Sequence, residues 1–263
     1  MLKFPKKLSE ARILISNDDS IHSAGIKVLE EIARSLSPHV WVVAPENQQS
    51  AAGHSLTIHM PLRIKEYDQS HVSVYGTPTD SVLIGIRKVM KDFRPHLVLS
   101  GINHGQNTAD DVTYSGTIAA AIEATLMGVP GIALSQDMSD ENGRKPDWTI
   151  AHNYLPRILK SFEGKEWEDN VLMSVNFPMQ KPGVEPEIRV RPQGHYSLDE
   201  QEMVNCIDPR GHPYFWIGQP PKRNELDQTI DVGSLKAGHV TITPLSLNLT
   251  HHPTLQLLEG IFK

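Results

Sequence analysis

Short apolar runs alternate with segments of helical period along the first half of this chain, and few architectures satisfy that alternation. Arg12-Ile13-Leu14-Ile15, Val40-Trp41-Val42-Val43-Ala44, Leu97-Val98-Leu99-Ser100 and the run from Val129 to Ser135 read as buried parallel strands. Between the first two lie Ile26, Leu29, Ile32, Ala33 and Leu36, at helical spacing. A second helix has residues 82–90 as its body and Thr79 or Asp80 as N-cap, and a third spans the Ala-rich residues 116–126. Strands separated by helices in this way form a doubly wound, mostly parallel α/β sheet.

Residues 57–76 interrupt the rhythm. Leu56, Ile58, Leu62, Ile64, Val72 and Val74 stand among polar residues, as in an antiparallel insertion. Further on, residues 140–150 read as a polar loop, 149–162 as a helix and 171–177 as a strand. From Ile188 the strand signals are broken by clusters such as Asp208-Pro209-Arg210-Gly211. The aromatic strand Tyr214-Phe215-Trp216-Ile217-Gly218, beside Pro220-Pro221, belongs to a long hairpin projecting from the core at about residues 188–235. A strand at Val240-Thr241-Ile242-Thr243 ends at Pro244, and a short helix starts after Pro253. The chain thus reads as one domain over residues 1–263. Residues 1–135 form the core that carries the site; residues 136–263 supply the rest of the core, the hairpin and a C-terminal arm.

Composition narrows the function classes. The charged fraction of 21% and apolar fraction of 39% are those of an ordinary soluble protein. No apolar run approaches the ~18 residues of a membrane span. Residues 1–10, with Lys3, Lys6 and Lys7, read as a short solvated leader rather than a secretory signal. Cys206 is the single cysteine, so no internal disulfide forms, in keeping with a cytoplasmic location. The net charge of −6 and the absence of a dense basic run argue against a nucleic-acid polymer as partner. A mononucleotide is compatible, because local groups hold small anions.

The chemistry-bearing residues sit just past the strand ends. Asp18 and Asp19 follow the first strand, Asn47-Gln48-Gln49-Ser50 the second, and Ser100-Gly101-Ile102-Asn103-His104-Gly105-Gln106-Asn107 the third. In a parallel sheet these loops share one edge, where open α/β folds bind ligands. Adjacent carboxylates repel unless a cation lies between them. Asp18, Asp19, a hydroxyl and a side-chain amide offer oxygen donors that suit Mg²⁺, Mn²⁺ or Ca²⁺ rather than zinc. A turn with an N-cap accounts for an isolated Asp pair equally well, but three such loops at successive strand ends favour a site. The run Asp110-Asp111-Val112-Thr113-Tyr114-Ser115-Gly116-Thr117 leads into the Ala-rich helix, whose first N–H groups form an anion site. Capping by Ser115 or Thr117 explains that run equally well. A phosphate beside a divalent cation reconciles both groups of residues, in an enzyme or in a regulatory module that binds without turnover. A nucleotide-sugar transferase is a third reading; the lack of a Gly-x-Gly-x-x-Gly turn after the first strand argues only against dinucleotide binding.

Ser16-Asn17-Asp18-Asp19, Ala44-Pro45 with Gln49-Ser50, Gly76-Thr77-Pro78-Thr79-Asp80, Ser100-Gly101-Ile102-Asn103 and Tyr114-Ser115-Gly116-Thr117 together resemble the SurE survival-protein nucleotidases. Asp208-Pro209-Arg210-Gly211, the Tyr214 strand and Thr241-Ile242-Thr243-Pro244-Leu245 extend the likeness over nearly the whole chain. The resemblance implies a Rossmann-like core and a metal-dependent phosphatase acting on nucleoside 5′-monophosphates, with 3′-nucleotides and polyphosphate as side substrates. It implies one divalent ion per subunit, Mg²⁺ or Mn²⁺, held by Asp18, Asp19, Ser50 and Asn103. Asn107, Ser115, Gly116 and Thr117 then lie around the phosphate. It also implies homodimers or homotetramers in which the hairpin and C-terminal segment reach a neighbour. Two positions depart from the family pattern: Ser20 and Ala51 stand where glycine is common, a difference that costs strain where φ is positive.

Overall fold

The computed structural model describes residues 2–138, 147–195, 203–218 and 227–262. In chain order the strands are β1 (Leu2–Lys3), β2 (Ile13–Ser16), β3 (Val40–Pro45), β4 (Ile64–Glu66), β5 (His71–Val74), β6 (Leu97–His104), β7 (Gly131–Gln136), β8 (Glu166–Trp167), β9 (Val171–Phe177), β10 (Ile188–Val190), β11 (Met203–Ile207), β12 (Pro213–Ile217) and β13 (Val240–Ser246). The α-helices are α1 (Ala24–Leu36), α2 (Pro78–Ile84), α3 (Gly116–Leu126), α4 (Thr149–Phe162), α5 (Asp231–Lys236) and α6 (His252–Ile261).

Nine strands form the central sheet in the order β10-β13-β9-β7-β6-β2-β3-β5-β4. β2 pairs in parallel with both β3 and β6; β6–β7, β7–β9 and β3–β5 are also parallel. The chain therefore builds outward from β2 to β3 and β5, then returns to the other side of β2 with β6. That reversal opens a crevice between the carboxyl ends of β2 and β6. The central strands are apolar and buried on both faces, as parallel strands must be. One face is covered by α1 and α4, whose Ile26, Leu29, Ile32, Leu155 and Leu159 join the largest core cluster. The other is covered by α2 and α3, through Val82, Ala120 and Ala124.

Several sequence expectations change in detail. The insertion is antiparallel only between β4 and β5; β5 itself joins the sheet in parallel beside β3, and Leu56 and Ile58 are in no strand. The N-cap of α2 is Thr77, not Thr79 or Asp80. Its hydroxyl accepts from the Asp80 N–H at 3.1 Å while Asp80 Oδ2 accepts from the Thr77 N–H at 2.9 Å, a reciprocal capping box with Pro78 at the first helical position. That helix ends at Ile84, and a wider π turn carries the chain on to Val89. Strand β13 runs through Pro244 to Ser246, because Pro244 lies in the register of β9 without breaking the ladder. Helix α6 takes in Pro253 in its first turn, where the missing N–H is harmless. The N-terminal segment is no solvated leader: β1 pairs with β8, and Phe4 is buried against Trp167 at a ring distance of 5.5 Å.

Strand β10 belongs to the central sheet, beside β13, and not to the hairpin. The hairpin itself is β11–β12, paired from Met203–Ile217 to Ile207–Pro213 and turned by Asp208. Most of the expected loop at 140–150, and Pro220-Pro221, lie outside the described residues.

Candidate active site

Asp18 stands immediately beyond β2 and is buried, an expensive place for a carboxylate. The N-terminus of α3 holds it there. Thr117 Oγ1 donates to Asp18 Oδ1 at 2.5 Å, and the Thr117 backbone N–H is directed at the same carboxylate. Gly116 allows this approach: a Cβ there would lie 2.7 Å from Asp18 Cβ and 3.1 Å from Asp18 Oδ2. Burial pushes the Asp18 carboxyl up to about 6; the Thr117 hydrogen bond opposes the rise and neighbouring Asp19 adds to it.

Ser115 is the cap of α3, its hydroxyl accepting from the Ile118 N–H at 3.1 Å. Thr117 is not a cap; its hydroxyl is given to Asp18. The Gly116 N–H makes no hydrogen bond among the described residues, so the positive end of α3 keeps a donor for an anion.

Asp19 is half-buried and turns the other way. Its Oδ2 accepts from the His104 N–H at 3.1 Å, which ties the first loop to the end of β6. The loop with Ser50 is tied to Asp18 by the backbone, Gln49 N–H donating to the Asp18 carbonyl at 2.8 Å. Ser50 itself is exposed, and its Oγ accepts from Gln48 Nε2 at 3.0 Å. Asn103 is not in a loop. Strand β6 continues through it after a register shift against β7 between Ser100 and Asn103, with a cis peptide at Gly101-Ile102. The bulge re-aims the residues beyond it, and Asn103 Nδ2 donates to the Gly105 carbonyl at 3.0 Å.

Asn107 is buried one step behind these groups. Its Nδ2 donates to Ser135 Oγ at 2.9 Å. Asn176 of β9 clamps its backbone from both sides: Asn176 Oδ1 accepts from the Asn107 N–H at 2.8 Å, and Nδ2 donates to the Asn107 carbonyl at 3.1 Å. Sequence reasoning missed Asn176 and Ser135. They lie on strands whose pattern marks only burial, and the pairing spans 69 residues.

The donors around Asp18 and Asp19 are all oxygens. No group of three or more His, Cys, Asp or Glu that could hold a metal ion occurs among the described residues, so a cation here would draw on the two carboxylates and on neutral oxygens. A hard divalent cation fits this set: two adjacent carboxylates, one of them buried, with neutral oxygens from the neighbouring strand ends.

Comparison with known proteins agrees with the geometry. The family model described as "Survival protein SurE" matches residues 13–200. A protein named 5′-nucleotidase SurE from Paramagnetospirillum magneticum is 46% identical over 254 residues, covering 97% of this chain and 96% of that protein. One of the same name from Parvibaculum lavamentivorans is 44% identical over 248 residues, covering 94% and 90%. The crystal structure of the SurE protein from Aquifex aeolicus superposes with a TM-score of 0.82 at 32% identity, covering 95% of this chain and 99% of that one. A buried carboxylate at the sheet's switch point, the three strand-end loops around it and these likenesses over nearly the full length place the chain in the SurE family.

Proposed function

We propose that this protein is a metal-dependent 5′-nucleotidase that hydrolyses nucleoside 5′-monophosphates to nucleoside and phosphate. One observation carries the reading: Asp18 and Asp19 share the switch-point crevice, with Asp18 locked against the amino end of α3. A cation site and an anion site thus adjoin, as a phosphate monoester requires. The relatives' name, 5′-nucleotidase SurE, supports the same conclusion.

Asp18, Asp19, Ser50 and Asn103 would hold one Mg²⁺ or Mn²⁺ per subunit, which supplies Lewis-acid polarisation of the phosphoryl oxygens. The rest falls to the chain. Thr117 fixes the orientation of Asp18. The Gly116 N–H and the α3 dipole receive negative charge on the phosphoryl group. Asn107, clamped by Asn176, holds the floor of the loop. A water attacks phosphorus in line and one of the two aspartates takes its proton; the P–O ester bond breaks, and the ester oxygen leaves on the nucleoside, taking up a proton from solvent while the aspartate later returns its own to solvent. Such esters need accelerations up to ~10²¹-fold. A general base supplies only about 10²–10⁴ of that, so oriented charge must do most of the work.

The test is phosphate release from adenosine 5′-monophosphate with Mg²⁺ or Mn²⁺, with and without chelator. Turnover that chelator leaves undiminished would overturn the proposal. Asp19→Asn is expected to lower turnover at least 10²-fold while leaving the thermal transition nearly unchanged; retained turnover removes Asp19 from the machinery. The stereochemical course at a chirally labelled phosphoryl group, transferred to an acceptor alcohol, separates direct attack from a covalent aspartyl route. One in-line displacement inverts phosphorus; net retention refutes the direct route.

The same reading makes the protein a homodimer or homotetramer. Phe215, Trp216 and Ile217 of the hairpin and Leu257, Ile261 and Phe262 around α6 are exposed apolar residues of the kind that meet a second copy. No helix among the described residues is long and apolar enough to cross a membrane.

A further inference from the structure

The mechanism above leaves unused a cleft of about 230 Å³ beside Asp19, whose lining includes Ser23, Gly25, Gln48, His104 and Trp148. It forms where the first turn of α1, the loop after β3, the end of β6 and the residue before α4 converge. Its volume falls below the roughly 300–1,000 Å³ of pockets that enclose a drug-sized molecule, so it suits one flat ring system rather than a whole ligand. Among the described residues that line it, Asp19 is the single carboxylate and none is a lysine or arginine.

The two aspartates meet different neighbours. Asp18 lies against α3, through Gly116 and Thr117. Asp19 borders the cleft, together with residues of the first turn of α1 and Trp148 before α4. An ester whose phosphate sits at these aspartates and the amino end of α3 has the cleft beside Asp19 as a place for its alcohol.

Trp148 gives the cleft a wall of the right kind. It is half-buried, packed on the core cluster on one side and lining the cleft on the other. Its Cη2 lies 3.3 Å from the point where a Gly25 Cβ would stand, and Gly25 is barred from having one by the Ile102 carbonyl, 1.9 Å from that point. The missing side chain keeps the indole edge clear. Gln48 and His104 are exposed at the rim. The Gln48 amino group donates to Ser50, leaving its carbonyl oxygen for a ligand.

We propose that this cleft is the nucleoside subsite, where the base lies on the Trp148 ring and Gln48 and His104 meet its polar edge. The proposal rests on the nucleotidase reading and adds the part that distinguishes a nucleotide from any other phosphate ester.

The test compares adenosine 5′-monophosphate with ribose 5-phosphate, which has the same ester and no base. Trp148→Ala is expected to reduce the ratio of the two kcat/KM values about tenfold, with the loss in KM for the nucleotide rather than in kcat. Trp148→Phe, which restores an aromatic face, recovers most of the ratio. Should the alanine variant unfold, Trp148→Leu keeps apolar bulk without a π face and is expected to show the same loss. An unchanged ratio, including an equal fall for both substrates, refutes the subsite while leaving the nucleotidase reading intact. Wild-type protein that releases phosphate from neither substrate removes both.

Discussion

Ser20 has φ +93° and Ala51 has φ +58°, the left-handed region that side chains other than glycine occupy at a cost. These are the two positions where the sequence departs from the family's glycine, so the strain was legible before the backbone was known. Each loop shape is kept, because Asp18 and Ser50 follow or precede residues tied to neighbouring strands: Ile21 N–H donates to the Pro45 carbonyl at 2.9 Å and Gln49 N–H to the Asp18 carbonyl at 2.8 Å. Ala51→Gly is expected to stabilise the protein by about 0.5–1 kcal/mol, roughly 1–4 °C in Tm by calorimetry. Ser20→Gly should gain less, since it loses the hydroxyl that accepts from the His22 N–H at 3.3 Å. A second residue-scale prediction concerns Asp111, which burial pushes up to about 6, helped by Asp110 and Asp231 and opposed by the Thr108 backbone and Lys236. Its folded-state pKa lies above the ordinary 3.8, so the folded chain holds the proton more tightly than the unfolded one. Stability from this group is complete below pH 3.8 and is lost as pH rises to about 6. Asp111→Asn should therefore raise Tm at pH 7–8 by about 2–4 °C and leave it unchanged near pH 4.

Among elements, helices and strands were readable where period and capping signals coincide, and obscure where a distant partner decides. The start of α2 was misplaced by two or three residues although Thr77-Pro78-Thr79-Asp80 carries the capping-box spacing; the proline at the first helical position was the stronger signal. Strand β6 looked complete at Ser100, because Gly101 and Gly105 read as turn residues; its continuation through His104 depends on pairing with β7. The Asn176–Asn107 clamp left no trace in local pattern at all. Its energetic weight is testable. Asn176→Ala strands a buried N–H and a buried carbonyl, each costing about 1–3 kcal/mol, so a loss of about 2–6 kcal/mol is expected in urea unfolding. Asn176→Asp keeps the acceptor for the Asn107 N–H but sets a buried carboxylate against the Asn107 carbonyl, so it should lose at least as much at neutral pH. An alanine variant that loses under about 1 kcal/mol would show that the clamp carries little weight.

At the scale of the molecule, the alternating pattern of the first half was enough to imply a parallel sheet with its ligand edge at the strands' carboxyl ends. It did not reveal that β13 runs antiparallel to β9 or that β10 closes the sheet beside it, since both come after the regular rhythm has ended. The hairpin was readable from its turn clusters and aromatic strand, and the C-terminal arm only from the family resemblance; the structure adds that their aromatic and aliphatic residues are exposed. If they pair copies of the protein, removing residues 247–263 should shift the sedimenting species to a smaller one; an unchanged sedimentation coefficient would exclude the arm from the interface.

Helix α6 has ten residues and none of them is buried. A lone helix shorter than about 12–15 residues barely persists in water. If a second copy covers it, as proposed above, its turns are held by mass action. Dilution alone, with no heat or urea, should then melt it, and ellipticity at 222 nm should decline in step with protein concentration; ellipticity independent of concentration would separate the helix from the interface.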